Sequence, residues 1–353
     1  MSKPNLFDYA TSELSHDAFI AWLLEWASSD NAGNPMHEFG RDVIQTFFKI
    51  QNKSLPSYSK VHVSRQYKNI DVFATLDTPQ QEEWAIIIEN KIYTREHSGQ
   101  LKKYWELVRD EKNNIPEDRM IGIYYKMWEQ SDMQRVRERG YAHFDRKNML
   151  ALMDRYKNKI DNDIFQNYYS YIKRMQEELD AFLETPISEW KDFQWVGFYS
   201  SLKEDLNDVE AAGDNNFGYV PNPSGGFWGS WLGSHNFDTG DTLYLQSEQK
   251  KLCFKINVNM PDKRQHAKWF WHHRVKRTAK EMGLEVVKPK VMRVGTWFTI
   301  GVLKTESDIY WMPTHKDGCI DYPATLEQLK QSLNLIQKCV IDYRDEYHRK
   351  MPE

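Results

Sequence analysis

A short apolar run that ends in three polar residues constrains this chain more than any other feature. Residues 85–88 (Ala-Ile-Ile-Ile) are all apolar, and Glu89, Asn90 and Lys91 follow them directly. Side chains alternate between the two faces of a strand. A run that is apolar at both odd and even positions therefore indicates a central strand covered on both faces. Charged residues at the end of such a strand lie at the rim of a core, where an ionisable group is costly unless it is paired or binds something. The end of this strand is therefore the candidate site.

A second strand, which carries an aspartate, is predicted to pair with the first. It begins at Ile70 and Asp71, and residues 78–81 (Thr-Pro-Gln-Gln) supply a turn before the apolar run. A hairpin across that turn would bring Asp71 beside Glu89, and Lys91 would share the face of Glu89 because the two stand two residues apart. Two carboxylates beside one lysine suit phosphodiester hydrolysis. Held by the carboxylates, Mg²⁺ would acidify a water and neutralise phosphate charge, while Lys91 would orient the attacking water or stabilise the pentavalent oxyanion.

A helix that carries Gln100 and Tyr104 is predicted to follow. The amide of Gln100 would reach the same cleft, and Tyr104 lies four residues on, on the same helix face. Taken alone, an aspartate followed by Glu-x-Lys is a weak pattern, and its alternative is an ordinary edge strand with a surface ion pair. The apolar run, the turn and the Gln-x-x-x-Tyr spacing favour the active-site interpretation.

Together these residues resemble the signature of the PD-(D/E)XK nuclease superfamily, including the QxxxY helix of its exonuclease-like members. Ile70 stands where the motif has proline. Residues 13–24, which begin Glu-Leu-Ser-His and end Ala-Trp-Leu-Leu, are similar to the opening helix of one branch of that superfamily. The resemblance covers roughly the first half of the chain. It implies an α/β fold with a restriction-endonuclease-like αβββαβ core, a divalent metal and cleavage of nucleic acid.

The resemblance also implies roles for individual residues. Asp71, Glu89, Lys91 and Gln100 would be catalytic, and Asp71 and Glu89 would bind Mg²⁺ or Mn²⁺. Glu13 is a further candidate metal ligand, with local capping and packing as its alternative, whereas His16 is interpreted as a packing residue. DNA is favoured over RNA on the resemblance alone, and the Gln-x-x-x-Tyr helix favours end-directed cleavage without excluding an endonuclease.

Composition restricts the partners and the compartment. The net charge is −4 and the pI is near 6.3, so any contact with nucleic acid must come from a local patch. The three cysteines are widely spaced, which predicts neither a zinc site nor a disulfide framework, and residues 1–5 show no secretory pattern. A reducing cytoplasm is therefore expected. No apolar run approaches membrane-spanning length, and no membrane partner is expected.

The chain is long enough for two domains, and Thr185-Pro186 is the predicted boundary. Residues 1–185 would form the nuclease-like domain. Residues 186–353 would form a separate α+β domain, with a mostly antiparallel sheet, that selects substrate, binds a partner or regulates. Further helices are predicted over 11–29 (capped by Ser15), 37–49, 161–183, 190–209, 264–282 and 325–347. Further strands are predicted over 58–66, 120–125, 140–144, 227–232, 242–246, 252–258 and 296–303.

Two groups of residues are predicted to contact nucleic acid, through positive charge and through aromatic rings that stack on bases. They are Arg65, Lys68 and Tyr104 in the first domain and Lys268, Arg274, Lys276 and Arg277 in the second. For Arg65 and Lys68, ordinary solvated charges are the alternative. For the second group, a packed helix whose basic side chains cover apolar ones is an equal alternative. For the whole chain, the alternative is an inactive nucleic-acid- or protein-binding module that keeps the nuclease fold. A homodimer, or a protein partner at the second domain, also stays open.

Overall fold

A computed structural model describes residues 4–97, 99–110, 115–222, 225–305 and 309–350, the last four of them by backbone alone. The chain divides into two compact units, Met1–Glu177 and Glu178–Glu353. The boundary predicted after residue 185 lies a few residues beyond this division. Within the described ranges, no helix has both the length and the apolarity that crossing a membrane requires.

The first unit is built on a five-stranded sheet in the order β1-β2-β3-β4-β5. Its strands are β1 (Lys60–Tyr67), β2 (Ile70–Asp77), β3 (Trp84–Lys91), β4 (Met120–Lys126) and β5 (Tyr141–Asp145). The first three strands pair antiparallel, and the last three pair parallel. The mixed sheet confirms the predicted αβββαβ core.

Helices cover both faces of this sheet. They are α1 (Glu13–Glu25), α2 (Pro35–Ile50), α3 (Gln100–Asp110), α4 (Gln134–Glu138), α5 (Arg146–Asp154) and α6 (Asp163–Asp180). Ile86 and Ile88 pack into one apolar cluster with residues of α1, α2, α5 and α6, whereas Ala85 and Ile87 pack into the opposite cluster with residues of α3 and α4. The run that is apolar at both parities is therefore buried on both faces, as predicted. Helix α3 is the crossover that the parallel pair β3–β4 requires.

One local prediction for the first unit is wrong, and two of its helices were not predicted. The N-cap of α1 is Ser12, whose hydroxyl oxygen accepts from the Ser15 amide at 3.3 Å, so the prediction that Ser15 caps this helix is wrong. Helices α4 and α5 were not predicted. The start of α5 carries a readable signal, because Asp145 and Asn148 form a reciprocal capping box.

The second unit is built on a separate six-stranded sheet in the order β10-β11-β9-β8-β7-β6, antiparallel throughout. The strands are β6 (Asn216–Val220), β7 (Phe227–Asn236), β8 (Thr242–Glu248), β9 (Leu252–Asn257), β10 (Val286–Val287) and β11 (Trp297–Leu303). The helices are α7 (Asp192–Asp205), α8 (Arg264–Glu281) and α9 (Tyr322–Lys350). The sheet agrees with the predicted α+β domain. The two edge strands, β6 and β10, are short and were not predicted.

Candidate active site

The β2–β3 hairpin places the predicted charged residues together. Its register pairs Val72 with Ile88, so Asp71 and Glu89 follow at the same end of neighbouring strands. The Lys91 Nζ atom lies 2.5 Å from Glu89 Oε1 and 3.8 Å from Asp71 Oδ2. The structure thus brings together the three residues that the sequence singled out.

Glu89 is a buried carboxylate with one unsatisfied oxygen. Its side chain is 1% exposed. Oε1 faces Lys91 and accepts from the side-chain amide of Gln100, whereas Oε2 is buried without a hydrogen-bond partner in the described structure. Burial, with a further contribution from the nearby Asp71, raises the pKa of Glu89 to about 8. An unpaired buried carboxylate oxygen is costly, and it is also a ligand that a hard cation prefers.

Lys91 is the cation that three carboxylates share. Besides Glu89 and Asp71, its ammonium group lies 3.6 Å from Oε2 of Glu13. Burial opposes the charged form of Lys91, but the three carboxylates outweigh burial and raise the pKa of this lysine above its ordinary value. Ionisation of Glu89 would place three negative charges around one ammonium group, so the ionised form of Glu89 favours a further cation. We call Glu13, Asp71, Glu89 and Lys91 the carboxylate site.

The donor set fits a magnesium-type ion held by few protein ligands. In the described part of the chain, no cluster of three His, Cys, Asp or Glu side chains is placed to hold a metal by itself. Mg²⁺ does not need such a cluster, because it keeps several waters and is commonly bound through one or two carboxylates plus substrate phosphates. Asp71 and the unpartnered Oε2 of Glu89 match that requirement.

Glu13 approaches the site from the N-terminus of α1. Its Oε1 atom accepts from the Ile92 amide at 3.1 Å and from the Thr94 hydroxyl at 2.8 Å. This carboxylate therefore anchors the segment that leaves β3, and only Oε2 faces Lys91. Metal ligation by Glu13 stays a prediction.

Two hydrogen bonds orient the Asp71 carboxylate, and neither was predicted from the sequence. Its Oδ2 atom accepts from the backbone amide of Asn90 at 3.0 Å, and Oδ1 accepts from the Gln66 side-chain amide at 3.3 Å. Gln66 has a φ of +52°, in the left-handed region that non-glycine residues rarely adopt. The bend at the end of β1 thus holds the amide of Gln66 near Asp71.

A buried aspartate, Asp17, contacts both residues that donate to Asp71. Asp17 is fully buried, and it accepts from Asn90 Nδ2 at 2.9 Å and from Gln66 Nε2 at 3.2 Å. Burial, followed by the negative charge of Asp71, raises the pKa of Asp17 to about 7. Asp17 therefore orders the two residues that orient Asp71. Its position one helical turn after Glu13 was the available sequence signal.

His16 lies in an aromatic part of the core. It is fully buried, and its ring contacts those of Phe7, Tyr168 and Tyr171. Burial lowers the pKa of His16 to about 4, which favours the neutral imidazole. The surroundings are those that the packing interpretation expects.

Helix α3 closes the site over Glu89. Gln100 is its first residue and donates to Glu89, and Tyr104 follows one turn later with 7% of its surface exposed. Burial raises the pKa of Tyr104 to about 12, and the carboxylates of Glu89 and Asp71 add to the effect. Gln100 therefore acts on Glu89, and Tyr104 stays protonated beside the carboxylates.

The first-unit residues predicted to contact nucleic acid lie near the β1–β2 turn. Arg65 is exposed and donates to the Leu14 carbonyl at 2.7 Å, and Lys68 is an exposed turn residue with a φ of +50°. Contact with nucleic acid stays a prediction for both.

A second buried lysine was missed. Lys126 pairs in register with Lys91 on the parallel strand β4, and its ammonium group donates to the carbonyls of Ile92 and Thr94 at 2.6 and 2.7 Å. Burial lowers the pKa of Lys126 to about 7. Glu13 and Lys126 thus hold the segment after Lys91 from two sides.

The second-unit residues predicted to contact nucleic acid differ in exposure. Arg274 is 5% exposed and forms an ion pair with Glu346, whereas Lys276 and Arg277 are exposed. Lys268 donates to the Met292 carbonyl at 3.0 Å. Nucleic-acid binding by these four residues stays a prediction, and the burial of Arg274 favours for that residue the alternative of a packed helix.

The fold of the first unit is restriction-endonuclease-like. A family model described as the PD-(D/E)XK nuclease superfamily matches residues 4–195, which is more than half of the chain. The chain belongs to that superfamily. No curated protein and no solved structure matches it.

Proposed function

We propose that the chain is a metal-dependent nuclease that hydrolyses phosphodiester bonds at the carboxylate site. The observation that carries the proposal is the convergence of Asp71 and Glu89 on Lys91, with Glu89 Oε2 buried and unpartnered. Membership of the nuclease superfamily supports the same conclusion. The enzyme would be a hydrolase of the divalent-metal class.

Asp71 and Glu89 would hold Mg²⁺ or Mn²⁺. When bound there, the ion supplies an acidified water and neutralises charge on the scissile phosphate. Lys91 keeps its proton and stabilises the negative charge that develops on the phosphate oxygens. Gln100 fixes Glu89 Oε1 and leaves Oε2 for the ion. Asn90 and Gln66 hold both oxygens of Asp71 in a fixed direction.

We propose DNA as the substrate in preference to RNA, in keeping with the superfamily resemblance. We propose the second unit as an accessory domain that contributes to substrate binding, and the cytoplasm as the compartment. The three cysteines are buried and free, which suits a reducing environment.

The test is a cleavage assay on supercoiled plasmid, linear plasmid, single-stranded DNA and single-stranded RNA, each with Mg²⁺, Mn²⁺ or EDTA. The full-length wild type is compared with Glu89→Gln and Lys91→Ala, and with Glu38→Gln and Lys60→Ala as matched changes at exposed positions of the first unit. We expect metal-dependent cutting that both site variants abolish and both controls retain. The substrate pattern assigns DNA or RNA, and linear against circular plasmid separates exonuclease from endonuclease action.

Two outcomes would contradict the proposal. Cutting that survives both site variants would place the activity elsewhere. A wild type that binds nucleic acid without cutting it in either metal would favour the inactive binding module.

A further inference from the structure

A basic and aromatic surface in the second unit has no part in the carboxylate site. Residues 263–280 contain seven Lys and Arg residues, residues 286–297 contain three, and neither segment contains Asp or Glu. The whole chain, by contrast, carries a net charge of −4. The positive charge of the second unit is therefore concentrated in α8 and in the segment around β10 and the start of β11.

The two segments lie against each other. Lys268 of α8 donates to the Met292 carbonyl at 3.0 Å, and Arg264 Nη2 donates to the Thr296 hydroxyl at 2.9 Å. The Lys288 ammonium group lies 5.5 Å from the centre of the Trp269 ring. The basic residues of both segments thus contribute to one surface.

Helical spacing separates the structural charges of α8 from the exposed ones. Arg274 is buried, lies over the Phe270 and Tyr343 rings and pairs with Glu346, which also lies 3.5 Å from Arg277. The opposite face carries Trp269, His273, Lys276 and Lys280, spaced by four, three and four residues and all exposed. Neither Lys276 nor Lys280 forms an ion pair in the described part of the chain. Their charge is therefore available to a ligand.

An exposed tryptophan, Trp269, accompanies this charge. Trp269 is 41% exposed, its ring stacks on His273 at 6.0 Å with an interplanar angle of 26°, and the Lys268 ammonium group lies 5.0 Å from its centre. Trp297 is 58% exposed as well, but its ring packs on Tyr244 of β8, and no contact joins it to α8 in the described part of the chain. We define the basic aromatic surface by its exposed residues: Trp269, His273, Lys276, Lys280, Lys288, Lys290 and Arg293.

We propose that the basic aromatic surface binds single-stranded nucleic acid, with its lysines on the phosphates and Trp269 stacked on a base. Charge selects a polyanion, and an exposed ring selects one whose bases are free to stack, which a duplex does not offer. The exposed Lys288 side chain reorients on a ps–ns timescale, so it can move to a phosphate as a base reaches Trp269. Binding of single strands to this surface does not depend on catalysis. The further role of the surface in binding substrate for cleavage rests on the proposed nuclease function.

The experiment measures equilibrium binding by fluorescence anisotropy, using the full-length chain in EDTA so that no cleavage occurs. The probes are a labelled 20-nucleotide single-stranded DNA, the single-stranded RNA of the same sequence, and the corresponding DNA duplex. Two variants test the two chemistries: Trp269→Leu removes the stacking ring, and Lys276→Gln/Lys288→Gln removes two phosphate contacts. Trp269→Phe keeps an aromatic ring, and Lys250→Gln/Lys316→Gln makes the same charge change at exposed lysines in the β8–β9 turn and before α9.

We expect single strands to bind more tightly than the duplex. Trp269→Leu should weaken single-strand binding by roughly 5- to 150-fold, the range that stacking worth about 1–3 kcal/mol per base implies. Trp269→Phe should recover most of this loss. The double lysine variant should reduce the slope of log affinity against log salt by about 0.7 for each lost contact, and the control pair should leave the slope unchanged.

Three results would overturn the proposal: duplex binding as tight as single-strand binding, full affinity in Trp269→Leu, or an equal change of slope in the control pair. Because binding is measured in EDTA, these failures are distinct from failure of the nuclease proposal. A chain that binds single strands normally but cuts nothing in Mg²⁺ or Mn²⁺ would disprove the nuclease and leave this surface assigned.

Discussion

The charged side chains of the carboxylate site in the first unit are buried or partly buried, whereas those of the basic aromatic surface in the second unit are exposed. At the carboxylate site, Glu89 is 1% exposed and Lys91 is 9% exposed, and each relies on the other. On the basic aromatic surface, Lys276 and Lys280 are solvated. Buried charges are costly without partners, whereas exposed charges need none. The first arrangement therefore suits the small cation that we propose for it, and the second suits the extended polyanion that we propose.

The largest expected difference between the two regions is in stability. Lys91→Met leaves the buried Glu89 and the partly buried Asp71 without their cation, and we expect a loss of about 3–5 kcal/mol in unfolding free energy at pH 8. The same substitution at exposed Lys276 should cost less than about 0.5 kcal/mol. Urea unfolding in EDTA compares the two variants. Equal losses would mean that Lys91 is not held by the carboxylates as the structure shows.

The second expected effect concerns the residues behind Asp71. Asp17→Asn places an amide group among the donors of Asn90 and Gln66, so one hydrogen bond is lost and Asp71 is less well oriented. Such outer-shell changes typically cost about 10–100-fold in metal affinity or activity. We expect the Mg²⁺ concentration for half-maximal cleavage to rise by that factor, with Asp30→Asn as an exposed control. A purely structural Asp17 would lower stability and leave the magnesium midpoint unchanged.

Some contacts of the carboxylate site could be predicted from the sequence, and others could not. Strand parity was enough to place Glu89 and Lys91 on one face, and the hairpin turn was enough to bring Asp71 beside them. The Asp17, Asn90 and Gln66 network was beyond that reasoning, because it joins three segments at the bend after β1. Local periodicity has no information about where such segments meet.

Helix α8 shows the same limit in a single element. Its basic residues were identified from the sequence, but which of them are exposed depends on α9, about seventy residues later. Glu346 and Tyr343 of α9 account for the burial of Arg274, whereas Lys276, two residues on, is exposed. Lys288 was not singled out at all, because it joins this surface only through tertiary contact with Trp269.

A third prediction follows from this division within α8. Arg274→Met removes a buried ion pair and its contacts over Phe270 and Tyr343, and we expect a loss of about 1–3 kcal/mol in unfolding free energy. Arg277→Met, at an exposed position, should cost less than about 0.5 kcal/mol. The affinity of Arg274→Met for single-stranded DNA should equal that of the wild type. A loss of affinity without loss of stability would instead make Arg274 a ligand-binding residue.

The smallest expected effect is the pH dependence of stability in the metal-free protein. The pKa of Glu89 is raised from an ordinary 4.5 to about 8, so between these values the folded chain holds a proton that the unfolded chain releases. The contribution of Glu89 to stability is therefore complete below pH 4.5 and is lost as pH rises towards 8. From pH 6 to pH 7 this loss is at most about 1.4 kcal/mol.

The comparison of wild type with Glu89→Gln isolates that contribution, because the other shifted groups are common to both proteins. Asp17, whose pKa is raised to about 7, acts with the same sign as Glu89, and His16 and Lys126 do not. Their pKa values are lowered to about 4 and about 7, so both act with the opposite sign, His16 below pH 6.5 and Lys126 above pH 7. Urea unfolding in EDTA should show wild-type stability falling relative to Glu89→Gln between pH 6 and pH 7. Mg²⁺ needs the ionised carboxylate, so its stabilisation of the wild type should grow over the same interval. If Mg²⁺ stabilised both proteins equally at both pH values, the ion would be binding away from Glu89, and the contrast between a preorganised cation site and a solvated anion surface would not hold.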